Sequence, residues 1–123
     1  MIILGDEFIP YEPIESIKTI DDIKNTKSNS TLCFEYDKKL MSYCAQNEIQ
    51  YAVNISSLKE SIYANALKAK YILPVSSILG DTQKCAENYL FDSKILAIVE
   101  SEDEIEQYAL KNIDGVVFKK LLL

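Results

Sequence analysis

The side chains able to do chemistry in this chain are carboxylates, hydroxyls, thiols and lysines. The sequence has no His, and all 13 basic residues are Lys. A serine or cysteine nucleophile paired with an imidazole is therefore excluded, and so is a bidentate arginine clamp on phosphate or carboxylate. Any general base must be a carboxylate or a lysine. The polar residues that stand out come directly after apolar, strand-like runs. Asp6 follows Ile2-Ile3-Leu4, Glu35 and Asp37 follow Thr31 to Phe34, and Ser76 and Ser77 follow Tyr71 to Val75. Glu100 follows Lys94 to Val99, and Lys119 follows Val116-Val117-Phe118. The carboxylates among them supply the hard oxygen ligands that Mg²⁺ needs. Ser76-Ser77, with Gly80 beyond, provides a loop whose backbone N–H groups can face a phosphate at a helix start. Lys119 is placed to act as a base. The plainer role of the same residue types is helix capping and first-turn charge.

The three cysteines, Cys33, Cys44 and Cys85, fit no zinc spacing, and their odd number argues against a disulfide framework. They read as small buried hydrophobes in a reduced protein. A net charge of −6 disfavours nucleic acid and anionic membranes as partners. No apolar run approaches the roughly 20 residues of a membrane span, and Met1 to Glu7 lacks the pattern of a signal peptide. The expectation is a cytoplasmic chain that binds neither nucleic acid nor membrane.

The elements that position these groups follow from apolar periodicity. At 123 residues the length suits one domain, residues 1–123. Residues 1–30 read as an irregular lead-in with a first strand at 2–4 and a short helix near 20–26. Ile14, Ile17, Ile20 and Ile23 stand three apart there. Residues 31–120 form a repeating β-α body, with strands expected at 31–36, 51–55, 70–75, 94–99 and 116–118. Helices are expected at 38–47 (capped by Asp37), at 58–69 (capped by Ser56 or Ser57), up to about residue 90, and from the Ser101–Glu104 capping box to about residue 112. Pro74 belongs at a strand end, because it removes a ladder donor. Alternating strands and helices imply parallel pairing through right-handed crossovers, and near-continuous apolar strands imply burial on both faces. The chain is too short for a closed eight-stranded barrel. The expected architecture is α/β: an open, mainly parallel sheet of five to six strands with helices on both faces, a three-layer sandwich of the flavodoxin or Rossmann kind.

Two local resemblances follow from these residues. Asp6-Glu7 after the first strand is similar to the acidic pair of response-regulator receiver domains, and Ser76 to their strand-four hydroxyl. That family also needs an Asp after strand three and a Lys after strand five; here stand Asn54-Ile55-Ser56 and Glu100. Phosphoryl transfer therefore does not carry over. Residues 94–118 resemble a β-α-β piece of phosphoenolpyruvate/pyruvate-type barrels, in which a Glu at the place of Glu100 binds metal. We treat the second likeness as shared β-α-β grammar.

With no catalytic constellation in view, the sequence points first to a non-enzymatic module acting through a protein partner or self-association. The scattered tyrosines and the apolar Leu121-Leu122-Leu123 motivate that expectation. The alternative is a binder of a phosphorylated small molecule, or a Mg²⁺-dependent enzyme, using the carboxyl edge of the sheet. For that alternative Asp6, Glu35 and Glu100 must converge on one pocket. No cofactor is implied by any motif.

Overall fold

The computed structural model describes residues 1–123. Two short strands, β1 (Ile2–Leu4) and β2 (Ile14–Ser16), precede the repeating body. The body runs β3 (Thr31–Glu35), α1 (Lys38–Gln46), β4 (Tyr51–Ile55), α2 (Leu58–Ala66), β5 (Tyr71–Pro74), α3 (Leu79–Asn88), β6 (Lys94–Val99), α4 (Ile105–Leu110) and β7 (Gly115–Phe118). Of the isoleucines spaced by three, Ile20 and Ile23 fall in a 3-10 turn over Ile20–Asn25, whereas Ile14 lies on β2 and Ile17 follows it. No helix is long and apolar enough to cross a membrane.

Helices α1 and α2, and the 3-10 turn over Glu102–Glu104 that leads into α4, begin at polar caps, whereas α3 has none. Asp37 accepts hydrogen bonds from the backbone N–H groups of Lys39 and Leu40 at 3.0 and 3.1 Å. Ser57 accepts from Glu60 N–H at 3.2 Å, and Glu104 from Ser101 N–H at 3.1 Å. Each bond satisfies a donor that the first helical turn leaves free. All four helices end alike. Glu48, Lys68, Leu90 and Asn112 take left-handed backbone with φ of 53–67°. The next residue, Ile49, Ala69, Phe91 or Ile113, donates its N–H back into the last turn at 2.9–3.1 Å. This is the Schellman arrangement with its apolar follower, built four times without glycine.

All seven strands are parallel, in the order β1-β7-β6-β5-β4-β3-β2. From β2 to β7 each strand lies beside its predecessor. Right-handed crossovers that always advance the same way put every helix on the same face. The packing shows it. Leu40, Met41, Cys44, Ala64, Leu79 and Ala86 from α1–α3 join Leu32, Phe34, Val53, Ile72, Ile95 and Val116 from the strands in one core, with Ile105 and Tyr108 of α4 against it. The alternate strand positions form a second core of Leu4, Cys33, Ala52, Tyr71, Leu73, Leu96 and Val117, which contains no residue of α1–α4.

The expected open α/β sheet is thus present, with two differences. It has seven strands in place of five to six, the added strand being β2. Its helices line one face in place of both, because the strand order never reverses, and a doubly wound sandwich needs that reversal. The helix-free face covers itself by curling. Ser16 Oγ on β2 donates to the carbonyl of Leu122, just beyond β7, at 3.1 Å, so the two ends of the sheet come together. Leu121 and Leu122 pack onto the inner core, which gives the apolar tail its role. At Gly115 a Cβ would lie 2.6 Å from the Ile2 carbonyl oxygen, so only glycine lets β1 close against β7 there.

A polar cluster crosses the opening at the N-terminal ends of the strands. Glu12, just before β2, accepts from Tyr71 Oη on β5 at 2.6 Å and from Thr31 Oγ1 at 3.3 Å, and it pairs with Lys70. Burial alone would raise the Glu12 pKa. The hydrogen bonds from Lys70 and Tyr71 and the Lys70 charge outweigh it and hold the carboxyl below its ordinary value. Burial, then the Glu12 contact, pushes the Tyr71 phenol up.

Two outcomes follow from these features. Leu90 holds φ 53° while 85% exposed, so Leu90→Gly should raise unfolding stability by about 0.5–1 kcal/mol in urea titration; a loss of stability would contradict the backbone assignment. Because the Glu12 pKa is lower folded than unfolded, its contribution is complete above the unfolded value and is lost as pH falls through the folded one. The wild type should therefore lose more stability than Glu12→Gln as urea titrations move from neutral pH into the acid range below the ordinary Glu pKa. Equal losses in the two proteins would refute the clasp.

Candidate functional site

In a parallel α/β sheet the carboxyl ends of the strands are where ligands bind. Here those ends surround the mouth of the curl. Two cavities adjoin across it, of about 570 and 380 Å³, and both are lined by Glu35 and Asn54. These two residues are register partners on β3 and β4, so their side chains stand next to each other on the inner face. The larger cavity continues past Cys33 to Ser16, Lys18 and Asn25, beneath the 3-10 turn, with Leu122 at its edge. The smaller one continues to Leu73, Pro74, Val75 and Ile98 at the ends of β5 and β6. Together they make a groove that is polar at the β2 end and apolar at the β6 end.

Most carboxylates around this groove are already committed to hydrogen bonds. Asp22 accepts from the N–H groups of Lys18 and Thr19, both at 3.0 Å, and these bonds hold its pKa low. Glu15 accepts from Ser30 Oγ and from Lys27 N–H, with the same effect. Glu60 accepts from Ser56 N–H at 2.8 Å. The one salt bridge of the protein is Glu12–Lys70, so Glu35 and Lys18 carry unpaired charges. Asn54 Nδ2 lies 4.0 Å from Cys33 Sγ, a long contact that leaves the amide oxygen free. Cys33 is no nucleophile. Burial, with the Glu35 charge second, pushes its thiol up to about 11. Cys44, on the buried side of α1, is pushed up to about 11 by burial as well. Tyr36 lines the smaller cavity, and its Oη is buried without a hydrogen-bond partner.

The residues singled out from the sequence separate in space. Glu35 lies in the groove. Asp6 closes a local turn by accepting from Phe8 N–H at 2.8 Å. Asp37 is consumed as the cap of α1. Ser76 and Ser77 are exposed on a 3-10 turn and line neither of the two groove cavities. Glu100 and Lys119 do come together, with Phe118 and Lys120, around a third cavity of about 310 Å³. Glu35 and Glu100 therefore line separate cavities, and Asp6 lines none of these three. No group of three or more Asp, Glu or Cys side chains stands close enough to hold a metal ion. The convergence that the Mg²⁺ reading needs is not made. Ser16, Lys18 and Asn25 are the groove residues that strand-end reasoning passes over, since they depend on β2 and the turn after it. The sequence matches no protein-family model and no curated protein.

Proposed function

We propose that this chain is a cytoplasmic, non-catalytic binding protein that holds a small molecule in the groove at the carboxyl mouth of its sheet. The observation that carries this reading is the pairing of Glu35 and Asn54. Two adjacent polar side chains with free acceptors stand in a cavity at the sheet edge where α/β proteins bind ligands. Binding without turnover is favoured by the neutral Cys33 thiol and by the lack of any imidazole to activate a nucleophile.

Self-association is the second reading, and one feature favours it. Phe8 is 85% exposed, and Ile9 and Tyr11 beside it are exposed too, all on the segment joining β1 to β2. These are the two strands at the ends of the sheet. A second copy is the partner this apolar segment suits, and nucleic acid and membrane remain disfavoured by the net charge of −6.

Thermal unfolding with a panel of small amines, sugar phosphates, nucleotides and Mg²⁺ tests the first reading. At least one class should raise the melting temperature in a dose-dependent way, since binding to the native state alone adds stability by mass action. Asn54→Leu should abolish the rise. A flat response across the panel, together with a dimer by light scattering at tens of micromolar, would replace ligand binding with self-association.

A further inference from the structure

We infer that the groove takes an organic cation: a protonated amine whose ammonium sits between Glu35 and Asn54 and whose apolar arm lies on Val75 and Ile98. This rests on the groove being a ligand site, and it names the chemistry. Charge is the first argument. Glu15, Asp22, Glu35 and Glu60 line the two cavities, against the single ammonium of Lys18. Backbone and hydroxyl donors satisfy three of those carboxylates without neutralising them. The groove therefore keeps a negative field, which attracts cations and repels phosphorylated molecules. Lys119 and Lys120, the lysines that would favour a phosphate, belong to a different cavity.

Geometry is the second argument. Neighbouring strands lie about 4.8 Å apart, so the register pair Glu35–Asn54 sets a carboxylate and an amide oxygen within reach of one donor group. An ammonium has three donors and no acceptor, and it can use both. The third argument is the asymmetry of the lining. Val75 and Ile98 are exposed although apolar, and the buried Leu73 and Pro74 back the cavity beside them. A bare metal ion or a small inorganic cation would leave this wall wet. A short alkyl chain attached to the ammonium would cover it.

The test uses three probes with the same arm: hexylammonium, hexanol and hexyl phosphate. Each is titrated into the wild-type protein by calorimetry and mapped by amide chemical shifts in ¹H–¹⁵N spectra. Hexylammonium should bind and shift the amides of Glu35, Asn54 and Ile98. Glu35→Gln, an exposed change that keeps the fold, should weaken it by about tenfold, the loss of one charge-assisted hydrogen bond. Hexyl phosphate should not bind. Binding of hexanol or hexyl phosphate at these amides, undiminished in Glu35→Gln, would overturn the cation assignment and leave the groove as a site. Failure of all three probes to shift these amides would overturn the groove itself.

Discussion

Every crossover from β2 to β7 advances in the same direction, and the rest of the structure follows from that constraint. One face of the sheet receives all four helices and the larger core. The other face receives none and must leave water by curling on itself. Curling crowds the inner positions. This accounts for Ala52, Cys33 and Gly115 there, and for the single aromatic residue, Tyr71, reaching its polar end out to Glu12 at the rim. Because β1 and β2 do not pair, side chains must join what backbone hydrogen bonds do not. Ser16 with Leu122 does so at the carboxyl end of the curl, while at the other end Glu12 ties the segment before β2 to β5 across the mouth.

Much of this architecture is legible in the sequence, and the gaps have physical causes. The strands at 2–4, 51–55 and 94–99 are found at the limits their apolar runs set, and Asp37 and Ser57 cap as their positions require. Strand β2 is not legible. It has three residues, two of them Glu15 and Ser16, and it holds its place only through pairing with β3. The helix ends are blurred for a different reason. A left-handed turn is normally marked by glycine, but here Glu48, Lys68, Leu90 and Asn112 adopt it, so helix-compatible residues run past each true end. The layer arrangement is hidden because Ala52 and Val53, or Leu96 and Ala97, are apolar on both faces of their strands. That pattern is the same whether the second face meets helices or its own sheet.

The site was half legible for related reasons. Glu35 is identified by its place at a strand end, and that place sets it in the groove. Asp6 and Asp37 have the same sequence signature but spend their carboxylates on local backbone donors. Nothing in residue type separates these uses. The difference is one of position: Asp37 is the N-cap that directly precedes α1 and Asp6 opens a turn, whereas Glu35 ends β3 with its side chain on the inner face. Asn54 gains its meaning only from parallel register with Glu35, and Lys18 only from a strand the sequence conceals.

The central claim is that the curl of the sheet is held across its mouth by side-chain bonds, and the Glu12–Tyr71 contact, which joins the segment before β2 to β5, is its most direct expression. A double-mutant cycle with Glu12→Gln, Tyr71→Phe and the combined protein, each unfolded in urea at neutral pH, measures that contact. The account predicts a coupling of about 1–2 kcal/mol, as for a charge-assisted hydrogen bond between a buried phenol and a half-buried carboxylate. Additive effects, with coupling near zero, would mean that the curl is maintained by its apolar inner core alone and would contradict the account.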